Sequence, residues 1–239
     1  MPRRWVSDAE ARTLRDLQLG AGRLIREELT LFFGSLNLER PEAVRDALLQ
    51  FVPSLVQRYG EGAAAVAADW YDDVRSGLNV RGSYRARVAD PIEEERIDRM
   101  VRFAAQHLFT ETPALMLAAL AAPAARYVVE QGRLTIVAST REDPRSRGWE
   151  RRARGTSCSF CKALAQRGRV YRYDTNYFAA HNDCGCTAVP SWDPQAREVP
   201  VDVYEASRRT DGMKPRELAA HRERVRTLVD RFESGDYDT

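Results

Sequence analysis

All four cysteines of this 239-residue chain fall between Cys158 and Cys186, and a histidine, His181, falls among them. That crowding constrains the fold more than any other feature, because the same interval lacks the apolar periodicity from which a helix or sheet could build a core. Cys158-Ser-Phe-Cys161 puts two thiols at the ends of a tight turn, so both sulfurs can face one ion, and His181-Asn-Asp-Cys184-Gly-Cys186 supplies a second set. Four soft or borderline ligands suffice for tetrahedral zinc. Cys158, Cys161, His181, Cys184 and Cys186 are five candidates, and spacing alone does not single out the surplus one. A structural zinc would stabilise such a segment by roughly 10 kcal/mol in apparent terms. Three other readings stay open: unligated core cysteines, disulfides in an oxidising medium, or a nucleophile. In the last, Cys158 or Cys161 is the thiolate, His181 the base and Asp183 or Asn182 the orienter; a metal on those groups would abolish it.

The remainder of the chain is helical text. Ser7 with Glu10 forms a capping box ahead of Leu14, Leu17, Ala21, Leu24, Ile25 and Phe32, which predicts a first helix ending near Gly34. Pro41 opens a second helix, with Pro53 as a kink and Gly60 and Gly62 as its end. A third helix is expected over 63–74 with Gly77 as its stop, then a polar connector over 79–90. Pro91 opens a fourth, with Ile97, Met100, Val101, Ala104 and Leu108 on one stripe. Thr112 and Pro113 start a fifth, continuing to about Gln131, while 134–138 reads equally as a strand or as an extension of that helix. Antiparallel helices joined by short turns predict a bundle. A final helix is expected from Pro215, with Leu218, Val225, Leu228, Val229 and Phe232 on one face and Gly235 as its end.

At Asp143 the texture changes. Arg145, Arg147, Arg151, Arg152 and Arg154 cluster around Trp149, and helical periodicity lapses until about residue 213. Residues 149–153 and 187–189 read as short strands and 161–166 as a short helix. The expected organisation is mainly α: a helical bundle over 1–141, a small α+β Cys/His domain over 142–200, and a tail over 201–239 carrying one helix. Lysine plus arginine number 37 against 35 acidic residues, and the net charge of +2 gives no global pull toward nucleic acid or membrane. The five arginines, with Arg167, Arg169 and Arg172 after them, could still contact DNA phosphates without reading bases. Tyr171, Tyr173, Tyr177 and Phe178 beside them could stack on bases or form a miniature core. The start lacks the apolar stretch of a secretory signal and no window suits a membrane span, so the sequence predicts a protein kept inside the cell. Neither a metalloprotease histidine pair nor a serine-nucleophile elbow or phosphate loop occurs, and no catalytic residue is assigned. His107 reads as a packing histidine.

The run Asp143-Pro144-Arg145, Trp149, Cys158-Ser-Phe-Cys161, Gly168-Arg-Val-Tyr171 and His181-Asn-Asp-Cys184-Gly-Cys186 resembles the minor head proteins of tailed phages infecting actinobacteria, within the phage Mu F-like head morphogenesis family. Asp46-Ala-Leu-Leu and Ala67-Ala-Asp-Trp-Tyr71 extend the likeness, which covers roughly residues 10–195 and not the tail. The resemblance implies a protein present in the host cytoplasm during assembly and then in the virion. It would act beside a portal, scaffold or major capsid protein in head assembly or DNA packaging. Some relatives are labelled capsid maturation proteases. The family often has arginine between the last two cysteines, where this chain has Gly185.

Overall fold

A computed structural model describes residues 5–154, 157, 159–166, 171, 178, 180–196, 214–220 and 223. The chain is mainly α, as its periodicity predicts. Helix α1 spans Asp8–Gly34, α2 Pro41–Gly77, α3 Glu94–Ala105 and α4 Leu115–Glu142; a 3-10 turn, Gln106–Phe109, follows α3 and contains half-buried His107. Strand β1 (Gly148–Arg152), helix α5 (Ser159–Gln166) and strand β2 (Thr187–Ser191) follow, and 215–220 is helical.

Helix α1 begins as its sequence requires. The Glu10 amide donates to Ser7 Oγ at 3.2 Å while the Ser7 amide donates to the Glu10 carboxylate at 2.7 Å. Pro41 occupies the first turn of α2. The expected break at Gly60 and Gly62 does not occur: the second and third helices are one 37-residue helix, with Pro53 accommodated inside it. Each interior glycine costs a helix about 1 kcal/mol relative to alanine, a small penalty beside what packing supplies. Gly60 packs against the Gln131 side chain of α4, and Ala63, Ala64 and Ala67 of α2 are buried. Where α2 ends, the left-handed residue is Asn79 (φ 51°), not Gly77, and the Val80 amide reaches back to the Arg75 carbonyl at 3.2 Å.

The helices are not all antiparallel. Gly132 of α4 lies against Ala63 of α2, and Asp143 just past α4 bonds Tyr71 further along α2, so these two run parallel; Gly22 and Gln18 of α1 meet Val129 and Gly132, so α1 runs opposite to both. A parallel pair needs a return path, and residues 79–93 provide it, extended along α4. Their backbone is satisfied by side chains of one α4 face. Thr135 Oγ1 accepts from the Ala89 amide, Ser139 Oγ accepts from the Arg87 amide, and Gln131 Nε2 donates to the Asp90 carbonyl. These buried polar residues, four positions apart, together with buried Ile136 and Val137, carry α4 past Gln131 to Glu142. Helix α4 also starts two residues later than its Thr112-Pro113 signal, because Thr112 and Pro113 form a preceding turn in which their carbonyls accept from the Leu115 and Met116 amides.

Strands β1 and β2 pair antiparallel, with Trp149 opposite Pro190 and Arg151 opposite Ala188. Their core is continuous with the bundle: Leu14 of α1, Trp70, Tyr71 and Val74 of α2, and Ile136 and Val137 of α4 form one buried cluster with Trp149, Tyr171, Phe178, Ala188, Val189 and Trp192. Asp143 fastens the junction. Its carboxylate accepts from Tyr71 Oη (3.1 Å), Arg75 Nε (3.0 Å), Trp192 Nε1 (2.9 Å) and the Arg145 amide (3.0 Å). Burial pushes its pKa up, but these hydrogen bonds and the Arg75 charge more than offset burial, and the group sits below the usual carboxylate range.

Candidate metal centre

Cys161 enters the site from α5, and His181 and Cys184 from the segment before β2. A tight turn presents the latter two together: the Cys184 amide donates to the His181 carbonyl at 3.2 Å, and Asp183 takes the left-handed conformation (φ 62°) that aspartate tolerates better than most residues. The Sγ atoms of Cys161 and Cys184 are 3.7 Å apart, and Cys161 Sγ is 3.4 Å from His181 Nε2. With Zn–S near 2.3 Å and Zn–N near 2.05 Å, a tetrahedral ion places two sulfurs about 3.8 Å apart and a sulfur and nitrogen about 3.6 Å apart. The three donor atoms, all within 4.8 Å of one another, could therefore hold one metal ion with little movement.

His181 is oriented for this role. Its Nδ1 lies 2.6 Å from the Asn182 carbonyl, which makes Nδ1 the donor and leaves Nε2 to face the sulfurs. Contacts with the Cys161 and Cys186 sulfurs, aided by the Arg133 charge, lower the Cys184 pKa against the effect of burial, and contacts with Cys184 and Cys186, together with burial, raise that of Cys161.

Of the five residues expected from sequence, Cys161, His181 and Cys184 converge. Cys186 is buried beside them, with Sγ 3.9 Å from Ser157 Oγ, but lies outside the group of mutually close donors. Cys158 lies outside the described residues, as do Arg167, Arg169, Arg172, Tyr173 and Tyr177. Cys161, Cys184 and Cys186 are free thiols.

The bundle holds the ligand loop through residues that carry no sequence signal. Arg133 of α4, 1% exposed, donates from Nε to the Cys186 carbonyl (2.9 Å) and from Nη2 to the Cys184 carbonyl (2.6 Å). Desolvation lowers its pKa, while the neighbouring cysteines oppose that loss. Phe178 lies between two guanidinium groups, with Arg133 Cζ 4.9 Å and Arg151 Cζ 3.8 Å from its ring centroid. Arg26 of α1 pairs with Asp183, Arg126 Nε donates to Asn182 Oδ1 (3.2 Å), and Thr187 Oγ1 donates to Gln18 of α1 (2.9 Å). Buried arginines are indistinguishable from solvated ones in a mixed-charge helix, so only the structure finds Arg133.

The arginines of 145–154 do not share one surface. Arg145 and Arg147 are exposed, Arg151 is buried on Phe178, Arg152 pairs with Asp8 and Glu150, and Arg154 is exposed beside the ligand loop. Trp149 and Tyr171 stack at 4.4 Å, and with Phe178 they are buried as a small core. The arrangement the nucleophile reading requires is present in part: Cys161 meets His181, but Asp183 turns to Arg26 and the histidine partner is a backbone carbonyl.

The chain matches the VG15 protein family over residues 5–225 and belongs to it, a phage-associated virion protein family. No curated protein and no solved structure matches. No helix among the described residues is long and apolar enough to cross a membrane.

Proposed function

We propose that this chain is a minor head protein of the Mu F-like type, incorporated near the portal of a phage procapsid and acting in head assembly or DNA packaging, with zinc as the structural ion of its Cys/His centre. The observation that carries the reading is a phage virion family match running through both the bundle and the centre. The centre is suited to rigidity. Its ligand loop is tied to α1 by Arg26 and to α4 by Arg126 and Arg133, so a bound ion would lock a docking platform in place. Leu31, Phe103 and Phe109 leave apolar side chains on the bundle surface for a portal, scaffold or capsid subunit. Cys158 or Cys186 would complete the ligand set. The protein would reside in the host cytoplasm during assembly and in the virion afterwards.

Deleting the gene from the phage tests this reading. Procapsids that fail to assemble or fill, while the major capsid subunit keeps its processed mass, are the expected result; normal filled heads would contradict it. A capsid maturation protease is the second reading, favoured by the 3.4 Å approach of Cys161 Sγ to His181 Nε2. Cys161 is only 2% exposed, and a sulfur so enclosed is closed to a capsid peptide, which favours the structural role. Unchanged capsid processing with a folded Cys161→Ser variant removes the protease.

A further inference from the structure

We propose that the cleft between α1 and α4, alongside the Cys/His centre, binds the phosphate backbone of duplex DNA. The cleft has a volume of about 750 Å³. Arg12, Arg15, Arg23 and Arg26 recur at helical spacing on the α1 face that lines it, Arg126 faces them from α4, and Arg154 closes the side next to the cysteines. Buried Arg133 lies at its floor. Among the described residues the lining holds seven arginines against two aspartates, Asp16 and Asp183, a local surplus larger than the +2 of the whole chain. Both aspartates are engaged, by Arg15 and Arg26.

Arg12, Arg23 and Arg154 are exposed, and among the described residues no side-chain hydrogen bond or ion pair engages their guanidinium groups. Cations concentrated in a concave wall and left without counter-charges raise the local potential and draw a polyanion. The ligand is extended, because residues 12 to 26 span about 21 Å of helix at 1.5 Å per residue. It is not a peptide that needs apolar anchors, since among the described residues Leu19, Ala125 and Val129 are the only aliphatic side chains in the lining. Neither is it a single strand held by base stacking, for no Phe, Tyr or Trp is among the described residues that line the cleft. Planar arginine forks matched to phosphates, with no platform for bases, suit a sequence-independent grip on a duplex. Gly185 contributes to the shape: a Cβ there would lie 2.5 Å from Arg154 Cδ, so its absence lets the Arg154 stem lie across the ligand loop.

The test is fluorescence anisotropy of the full-length purified chain on a short duplex of mixed sequence, titrated with salt. It needs no phage, so its outcome and that of the gene deletion are independent. If about four phosphates are neutralised, affinity falls on the order of a hundredfold between about 50 and about 200 mM salt. The double variant Arg12→Gln/Arg23→Gln lowers the steepness of log affinity against log salt by about two and weakens binding several tens-fold at about 0.1 M salt. Arg154→Gln, on a different element, lowers it by about one. Arg99→Gln/Arg102→Gln on α3, outside the cleft, leaves both values unchanged. Unaltered salt dependence in both cleft variants overturns the proposal, as does a polyglutamate of equal charge that competes as well as the duplex, which would mark the cleft as a site for an acidic protein segment.

Discussion

In the bundle, Ile25, Leu29, Leu48, Val52, Ile97, Val101 and Leu120 fill one core with aliphatic side chains spaced at helical period. In the second core, around the Cys/His centre, Trp149, Tyr171 and Phe178 share the interior with Arg75, Arg133, Arg151 and Asp143. The first core is non-directional: what matters is apolar area and close fit. The second depends on direction. Each buried charge must find its partner, and three donor atoms must converge within 4.8 Å. A segment without apolar period can thus be ordered by hydrogen-bonded ions and sulfur ligands fixed to helices that fold for ordinary reasons.

The contrast is broken most severely at Asp143. Asp143→Asn removes the negative charge facing buried Arg75 and should cost about 3–5 kcal/mol, measured by urea denaturation of the full chain. The same group sets an acid limit. Because its pKa is lower folded than unfolded, its contribution is complete above the unfolded value of about 4 and is lost as pH falls through the lower folded value. Wild-type stability should therefore drop in that acid range more than that of Asp143→Asn, and equal slopes would remove Asp143 from this role.

A smaller effect sharpens the comparison on the bundle side. At Gly132 a Cβ would lie 3.0 Å from both the Ala63 carbonyl oxygen and Gln18 Nε2, so Gly132→Ala must push α4 away from α2 and α1 at about 1–3 kcal/mol. At Gly62 nothing lies within 4 Å, and Gly62→Ala should stabilise α2 by up to about 1 kcal/mol. Thermal melts of the two variants shifting in opposite directions are the expected result. Equal shifts would mean that close helix contact does not govern the region.

These contacts also mark what the sequence makes legible. Ser7 with Glu10, Pro41 and the 3.6-residue stripes reveal helices because the responsible interactions lie within a few residues of one another. The continuity of α2 through Gly60 is not legible, since the packing that outweighs its glycines is tertiary, with Gln131 of α4, far along the chain, against Gly60 and with Ala63, Ala64 and Ala67 buried. Nor is the length of α4: Gln131, Thr135 and Ser139 look like a solvated face and are instead hydrogen-bond partners for an extended return segment. Short strands near 149 and 187 and the turn at 161 stand out because Trp149 and the cysteines interrupt the charged text. The convergence of Cys161, His181 and Cys184 follows from spacing and residue type, whereas the arginine that secures their loop has no local signature.

Metal content and thiol reactivity of freshly purified protein, measured together before and after chelation, bear most directly on the centre. One zinc per chain is predicted, with Cys161 and Cys184 unreactive until a chelator removes the ion, and with a lowered melting temperature once it is gone. Metal-free protein that melts at the same temperature with and without chelator, and whose cysteines react at once, would contradict a structural ion at this site.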